Sequence, residues 1–366
     1  MRKADKVFEQ KPSVDALLIT SEKNRFYYTG FASTFGYLVM LKEKNYFITD
    51  SRYIEMAKIL EKDAELIETT GGNAFGLVSD ILKQNNVKNV GFEDTEITYS
   101  EYTAFCEKLV GFELIPVGDA ILVQRRFKTD DEIEFITKAQ KITDKAFKNI
   151  LNFIKPDVTE LDVAVELEYQ MRKNGASGLA FDTIVASGQN GSKPHAHPTD
   201  KKIRLGDAVT MDFGARFNGY CSDMTRTVFC GKPNEEMRKI YEVVLRAQTN
   251  ALKNIKCGML CRDGDMLARE VIEANGYGAY FKHSLGHSLG IDVHELPSMS
   301  PSSQDYLQEN IMMTVEPGIY IPFLGGVRIE DMVVVKQDRI IDLTMSEKNI
   351  ITVSYTHLTL PTNSLV

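Results

Sequence analysis

Residues 209–229 read VTMDFGARFNGYCSDMTRTVF, and this stretch decides the fold of the C-terminal part of the chain. Both of its ends are rich in β-branched and aromatic residues, which are typical of strands. The dipeptide Asn218-Gly219 between them is the strongest short signal for a two-residue hairpin turn. The stretch therefore predicts a β-hairpin in which Phe217 lies opposite Tyr220.

Two aspartates of this hairpin fall on one face of the ribbon. The same register places Asp212 opposite Thr225 and Gly214 opposite Asp223, so the two carboxylates are diagonal neighbours, roughly 7–8 Å apart. Their surroundings are apolar, and two buried carboxylates this close repel each other and resist ionisation. A fold tolerates such a pair when the carboxyls hold protons, meet cations or bind metal, and we favour metal.

Histidines cluster in the same part of the chain. One of the six, His357, lies in the C-terminal tail, and the other five fall within a hundred residues of one another: His195, His197, His283, His287 and His294. Imidazole and carboxylate together suit divalent Zn, Mn, Co or Fe better than Ca. The sequence therefore predicts a transition-metal site beside the acidic hairpin.

Two further acids complete a ligand set. Glu316 ends the apolar run MMTV, and Glu330 interrupts the apolar run that begins at GGVRI. A lone acid in such a place is more often a rim residue or an ion-pair partner. Together with Asp212, Asp223 and one histidine they make five ligands, four of them carboxylates, which exceeds the needs of one zinc ion. A two-metal site is the natural count.

The order of elements repeats across the C-terminal part. Two helical patterns (about 129–154 and 159–175) precede the hairpin, and two more (235–255 and 262–274) precede the later strands (311–316 and 326–335). TMDFG at 210–214 is echoed by TVEPG at 314–318. A repeat of about a hundred residues indicates two halves related by a pseudo-twofold axis.

The first 124 residues have a different organisation. Short apolar runs alternate there with helical patterns, which predicts an α/β domain with one mixed sheet. The strands are expected at 16–20, 37–41, 46–49, 65–69, 89–93 and 113–117. We expect domains at 1–124 and 125–353. The remaining residues, 354–366, have no periodicity and are interpreted as a non-native tail.

Composition excludes several classes of protein. The 366-residue chain has a net charge of −8, which argues against nucleic acid or an anionic membrane surface as a partner. No apolar run approaches the roughly 18 residues needed to span a bilayer. Five scattered cysteines form neither a disulfide framework nor a CxxC pair, so a reducing cytoplasm fits the chain best.

One motif offers a competing chemistry. GHSLG at 286–290 matches the G-x-S-x-G nucleophile elbow of α/β-hydrolases, with Ser288 as the nucleophile. That fold needs an acid and then a histidine after the serine, but His294 follows too closely and His357 lies in the tail. The serine-hydrolase interpretation also leaves the acidic hairpin unexplained.

The motifs resemble those of the "pita-bread" metallopeptidases, a family that includes creatinase, prolidase, aminopeptidase P and methionine aminopeptidase. The resemblance rests on MDFGARFNGYCSDMTRT, HSLGHSLGIDVHELP, VEPGIY, VRIED and SGQNGSKPHAHP, and it covers nearly the whole chain. It implies an α+β protein. A creatinase-type α/β N-terminal domain would precede a pita-bread domain, whose pseudo-twofold, curved antiparallel sheet is covered by helices. Ser288 departs from the glycine of many members.

The resemblance also implies a site. The metal ligands would be Asp212, Asp223, His287, Glu316 and Glu330, holding two divalent ions, with Mn expected first and Co, Zn or Fe as alternatives. A hydroxide bridging the metals would attack the scissile carbonyl, with Glu316 moving the proton. His195 and His294 would bind the peptide and its oxyanion. Arg328 and Thr225 would support the ligands.

The expected activity is hydrolysis of the Xaa-Pro bond at the N-terminus of peptides that carry proline at the second position. The long N-terminal domain favours Xaa-Pro enzymes over methionine aminopeptidase, and we take Xaa-Pro aminopeptidase as the first interpretation. Xaa-Pro dipeptidase (prolidase) is its alternative. A methionine aminopeptidase-like enzyme, a serine hydrolase and a non-catalytic binding module are less favoured. We expect a cytoplasmic homodimer.

Overall fold

The structure is a computed structural model that describes residues 4–353. The chain divides into two compact units, Met1–Arg125 and Arg126–Val366. The tail predicted to be non-native, residues 354–366 with His357, lies outside the described residues. Between residues 4 and 353, the helices are all too short or too polar to cross a bilayer.

Unit 1 alternates helices and strands, as its sequence predicts. Its elements in chain order are α1 (Asp5–Gln10), β1 (Ala16–Ile19), α2 (Glu22–Thr29), β2 (Tyr37–Leu41), β3 (Asn45–Thr49), α3 (Ile54–Ala57), β4 (Glu65–Glu68), α4 (Ala74–Gln84), β5 (Asn89–Phe92), α5 (Tyr99–Lys108), β6 (Glu113–Pro116) and α6 (Ala120–Arg125). All six predicted strands are confirmed.

The six strands form one mixed sheet in the order β4-β3-β2-β1-β5-β6. Strands β1, β2 and β3 pair antiparallel, whereas β4, β5 and β6 join by parallel pairing. Strand β1 is buried along its whole length, since separate apolar clusters cover the two faces of the sheet. A central strand with both faces covered reads as a continuous apolar run, which is why ALLI alone predicted it.

Unit 2 contains the predicted repeat of helix pairs and strands. Its elements are α7 (Asp130–Ile150), α8 (Glu160–Lys173), β7 (Gly178–Leu179), β8 (Ile184–Ser187), β9 (Ala208–Phe213), β10 (Ala215–Phe217), β11 (Tyr220–Cys221), β12 (Met224–Cys230), α9 (Glu235–Asn254), α10 (Cys261–Ala274), β13 (Gly286–Ser288), β14 (Glu295–Met299), β15 (Met312–Val315), β16 (Gly318–Ile321), β17 (Gly325–Arg328), β18 (Asp331–Val335), β19 (Ile340–Asp342) and β20 (Thr352–Val353). Helices α7 and α8 begin with capping boxes at Thr129 and Thr159. Each half of the unit has its own apolar core.

The hairpin at 209–229 has the register that its turn dipeptide predicts. Phe217 pairs with Tyr220, and Asp212 pairs with Thr225. Asn218 and Gly219 both have positive φ angles, 46° and 79°, as a type I′ turn requires. The ladder is interrupted between β9 and β10 and again between β11 and β12, so that Gly214 and Asp223 lie outside the named strands.

The strand predicted at 326–335 is wrong in one respect, because it is two strands. β17 pairs with β16, whereas β18 pairs with β15. Between them the backbone N–H of Glu330 donates to the carbonyl of Thr225 (3.1 Å) in β12. The chain thus changes partners at Glu330, which brings this acid beside the aspartates of the first half.

Candidate metal centre

The acids and histidines of the two halves line one cavity in unit 2, with a volume of about 530 Å³. Every residue predicted for the site, except Thr225, lies in its wall: His195, Asp212, Asp223, His287, His294, Glu316, Arg328 and Glu330. Thr225 lies just behind the wall and is fully buried. His197 and His283, which the sequence analysis grouped with the other histidines, also line the cavity.

Three predicted ligands meet closely. Asp223, His287 and Glu330 each offer one ligand atom, and these atoms lie within 4.8 Å of one another. The His287 Nε2 atom is 3.6 Å from the Asp223 carboxylate and 3.4 Å from the Glu316 carboxylate. Asp212 lies in β9, and Asp223 directly precedes β12. His287 is the central residue of β13, Glu316 directly follows β15, and Glu330 lies between β17 and β18.

A chain of hydrogen bonds joins the remaining acid to this group. Arg328 Nη2 contacts the Asp212 carboxylate at 2.7 Å, and Arg328 Nε donates to Thr225 Oγ1 (2.8 Å). The Thr225 hydroxyl in turn donates to Glu330 Oε2 (2.7 Å). Arg328 therefore holds Asp212 directly and reaches Glu330 only through Thr225. Only Ile329 separates Arg328 from Glu330 in the sequence, yet the hydrogen-bond path between their side chains runs through Thr225.

The carboxyl groups of Asp223, Glu316 and Glu330 resist ionisation where they lie. Burial raises the pKa of Asp223 and of Glu330 well above the usual range, and the neighbouring acids raise both further. Burial also raises the pKa of Glu316 to about 8. In the wall of the cavity, as far as it is formed by residues 4–353, the four predicted carboxyl ligands and the carboxyl of Asp182 face one permanently charged cation, Arg328. The second oxygen of Asp212 is buried without a hydrogen-bond partner among the same residues.

His287 is prepared to act as a ligand. Its Nδ1 atom lies 3.1 Å from the carbonyl oxygen of Ser288. A carbonyl can only accept, so Nδ1 carries the proton and Nε2 presents its lone pair to the carboxyls. Burial lowers the pKa of His287 to about 4, which keeps the ring neutral. Neutral imidazole and carboxylate oxygens are the donor set of divalent transition metals, so the residues present fit such ions.

Tyr320 and His283 were not assigned roles from the sequence. The Tyr320 hydroxyl accepts from Arg328 Nη1 (2.8 Å) and lies 3.0 Å from His283 Nε2. Gly318 makes room for it, because a Cβ at that position would lie 2.4 Å from the Tyr320 hydroxyl oxygen. Gly318 pairs with Arg328 across β16 and β17. This pairing of a glycine with an arginine was the one feature from which the place of Tyr320 beside Arg328 could have been inferred.

Ser288 does not have the surroundings of a nucleophile. It is fully buried in β13, outside the cavity wall, and its hydroxyl has no hydrogen-bond partner within residues 4–353. A serine nucleophile needs a base within hydrogen-bond reach and an open face towards the substrate. The G-x-S-x-G motif at 286–290 therefore does not form a nucleophile elbow in this structure.

Two family models match the chain. Residues 134–337 match Metallopeptidase family M24, and residues 2–127 match the Creatinase/Prolidase N-terminal domain. Together they span both units.

Individual proteins are similar over almost their whole lengths. The Xaa-Pro dipeptidase of Pyrococcus furiosus is 40% identical, and the match covers 94% of this chain and 97% of that protein. Among solved structures, an Xaa-Pro dipeptidase from Bacillus anthracis has a TM-score of 0.92 at 40% identity, with 96% of this chain and 99% of the other covered. An X-Pro aminopeptidase from Thermotoga maritima has a TM-score of 0.90 at 36% identity, with 94% and 99% covered.

Proposed function

The chain belongs to metallopeptidase family M24, and from this premise we propose that it is an Xaa-Pro dipeptidase. The observation that carries the proposal is the cavity in whose wall the four candidate carboxyl ligands and the neutral imidazole of His287 converge beside Arg328. Relatives named as Xaa-Pro dipeptidases support this choice over the aminopeptidase interpretation that the sequence favoured. The proposed substrate is a dipeptide with proline at its second position.

The metal would be held by Asp212, Asp223, His287, Glu316 and Glu330. When bound, divalent ions supply Lewis acidity towards the scissile carbonyl and lower the pKa of water to about 7. We propose two ions, because four carboxylates exceed the charge that one ion balances. Mn is the first choice and Co, Zn or Fe the alternatives, since the donors are oxygen and imidazole without thiolate.

Glu316 would move the proton. Burial raises its carboxyl pKa to about 8, and the charge of Asp212 adds to this effect while that of Arg328 opposes it. Bound cations would lower this pKa again, so that the Glu316 carboxylate could accept a proton from water and return it later. The Thr314 hydroxyl, 3.2 Å from Glu316 Oε1, orients the carboxyl.

The histidines of the wall would bind the peptide. His294 lies against His287, with ring centroids 4.4 Å apart, and His195 lies in the same wall. Both can donate to a carbonyl oxygen as negative charge develops on it. Phe181, Ile184 and Val293 form an apolar part of the wall that suits a proline ring.

One observation keeps Xaa-Pro aminopeptidase as a second candidate. A dipeptidase must bind the free carboxylate of proline, and Arg328, the one permanent cation in the wall within the described residues, is already held by Asp212, Thr225 and Tyr320. Within the described residues, the donors that the wall leaves for a dipeptide carboxylate are therefore its histidines and the serines Ser284 and Ser298. A longer peptide carries no charge at that position.

Three substrates separate the two activities: Ala-Pro, Ala-Pro-amide and Ala-Pro-Ala, each assayed with and without Mn. A dipeptidase cleaves Ala-Pro at least about tenfold faster than its amide, because one charged contact contributes that much. Faster cleavage of the amide and the tripeptide would select the aminopeptidase instead. Full activity after removal of metal with a chelator would contradict both.

Replacement of Ser288 tests the class of enzyme. Ser288→Ala should leave kcat/KM within about tenfold of wild type, because loss of a true nucleophile costs several orders of magnitude. A covalent adduct of Ser288 with a fluorophosphonate probe would reverse the assignment.

A further inference from the structure

We propose that the buried ion pair between Lys128 and Glu295 positions His294 in the cavity, so that Lys128 is a positioning residue of the reaction. The inference rests on the proposed function, in which His294 binds the peptide. Lys128 lies between the two segments that match family models, and it has no place in the ligand set.

The first step concerns the loop that carries His294. Strands β13 and β14 form a hairpin whose register shifts between His287 and Ser288, so that Ser288 pairs with Glu295. Residues 289–294 between them form the loop, and His294 is its last residue. The position of the His294 ring against His287 therefore depends on how firmly this loop is held.

Glu295 closes the loop on itself. Its Oε1 atom accepts from the backbone N–H groups of Ile291 (3.1 Å) and Asp292 (3.2 Å). Its Oε2 atom accepts from Lys128 Nζ at 2.9 Å. One carboxylate thus binds two amides of the loop and anchors them to the segment that leads into α7.

The pair is buried rather than a surface contact. The side chains of Lys128 and Glu295 are only 2% and 7% exposed. Gly290 lies directly against them, since a Cβ there would be 3.0 Å from both carboxylate oxygens and from Lys128 Cε. An ion pair taken out of water needs good geometry and further hydrogen bonds to be tolerated, and the loop amides supply them.

The other side of the loop is held by the acidic hairpin. Cys221 donates its backbone N–H to the carbonyl of Gly290 (2.7 Å), and Arg216 Nη1 donates to the carbonyl of Ile291 (2.8 Å). The hairpin and the Glu295 carboxylate therefore both hold the middle of the loop, at residues 290–292. Because Glu295 directly follows His294, its carboxylate also ties the end of the loop to that middle. Loss of the lysine charge releases the end that bears the histidine.

The test is a double-mutant cycle on Ala-Pro hydrolysis. Lys128→Met should lower kcat by about ten- to a hundredfold, since small misplacement of a binding group has such costs. In a His294→Ala background the same change should cost less than about twofold, because the two residues act as one unit. Equal losses in both backgrounds would overturn the proposal.

Two further variants guard against trivial results. If Lys128→Met fails to fold, the double variant Lys128→Met/Glu295→Gln replaces it, because removal of both charges leaves no Glu295 carboxylate without its lysine. The double variant should show the same loss of kcat. Lys138→Met breaks a matched but exposed lysine–glutamate pair, with Glu134, and should leave kcat unchanged. A normal kcat in the folded double variant would contradict positioning by the pair.

Two measurements do not depend on turnover. Mn affinity, measured by calorimetry, should change less than about threefold in Lys128→Met, whereas hydrogen–deuterium exchange of the peptide 289–295 should become faster. If wild type does not cleave Xaa-Pro substrates, the proposed function fails, and exchange then decides the positioning alone. Unchanged exchange in this peptide would overturn the inference.

Discussion

Asp223 is buried among three other carboxyls, and the structure leaves it without an arginine of its own. Arg226, the arginine nearest to it in sequence, pairs instead with Asp331. Burial raises the pKa of Asp223 well above the usual range, and Glu330, Asp212 and Glu316 raise it further. Asp223 therefore weakens the metal-free fold, and we propose that its role is to bind metal.

We predict that Asp223→Asn abolishes turnover and weakens Mn binding while leaving the metal-free protein as stable as wild type or slightly more stable. Metal that binds only the folded state stabilises wild type by about 3–4 kcal/mol at a hundred- to thousandfold excess over the dissociation constant. Thermal melts of both proteins, with and without Mn, measure the difference. A variant that melts well below wild type without metal and gains as much from Mn would show that Asp223 is structural.

The raised pKa of Glu316 predicts that the stability of the metal-free protein depends on pH. Its folded-state pKa, about 8, is higher than that of the unfolded chain, about 4.3. The folded state therefore binds more protons between these values, and the stability that the protonated carboxyl contributes is present below about pH 4.3 and lost as pH rises towards 8. Metal-free wild type should lose stability over this range.

The control is Glu316→Gln, which cannot ionise. Urea unfolding of both proteins at several pH values should give a free-energy difference that grows in favour of the variant from pH 5 to pH 8. A difference that stays constant with pH would mean that Glu316 titrates normally in the folded protein.

At the scale of elements, the hairpin brings Asp212 and Asp223 together, and Gly214 allows its strands to approach. A Cβ at position 214 would lie 1.9 Å from the carbonyl oxygen of Ser222 and 2.9 Å from the ring of Phe181. The nearest atom to such a Cβ belongs to the backbone, so the clash cannot be relieved by rotation of a side chain.

We therefore predict that Gly214→Ala destabilises the protein by about 2–3 kcal/mol, the cost of overpacking, and lowers Mn affinity because Asp223 is displaced. Gly178→Ala is the matched control, because its Cβ would meet only the Cβ of Arg216 at 4.0 Å on the neighbouring strand. Urea unfolding and Mn titration of both variants test this. Equal behaviour of the two variants would contradict the role of Gly214.

The hairpin also shows how far sequence predicts this structure. Asn218-Gly219 fixes the register locally, so the pairing of Asp212 with Thr225 followed from one dipeptide. The break at Glu330 was not predicted, because charged residues inside a strand-like stretch do not by themselves end a strand, and the division into β17 and β18 depends on contacts about a hundred residues away in the sequence. Tyr320 was missed for a similar reason: its partners lie in other segments of the chain, Arg328 in β17 and His283 in the irregular segment before β13.

At the scale of the whole second unit, one buried charge network joins the two halves. Arg226 in β12 binds Asp331 in β18, and its guanidinium also donates to the carbonyls of Glu330 and Ser346. Lys348 binds the other oxygen of Asp331. The network links the two halves of the unit next to the candidate metal centre. The pKa of its acid, Asp331, is shifted in the opposite direction to that of Asp223. Burial opposes ionisation of Asp331, but Arg226 and Lys348 hold its pKa below the usual range.

Because Asp331 is paired with cations, we predict that its replacement destabilises the fold, unlike that of Asp223. Asp331→Asn leaves the buried Arg226 without its carboxylate, and the loss of one partner from a buried pair costs about 3–5 kcal/mol. The loss should be equal with and without Mn, because Asp331 faces away from the ligands towards Arg226 and Lys348. Asp338→Asn, an exposed change in the turn after β18, should stay within about 0.5 kcal/mol of wild type.

The pH dependence should also be opposite to that of Glu316. A carboxylate with a lowered folded-state pKa contributes stability above its unfolded pKa, about 3.9, and loses that contribution as pH falls through the folded value. The difference between wild type and Asp331→Asn should therefore be full at pH 7 and shrink below about pH 4. If the Asp331→Asn variant instead kept its stability and lost the stabilisation by Mn, Asp331 would belong to the metal centre. The assignment of Asp331 to a structural ion pair rather than to the metal site would then be wrong.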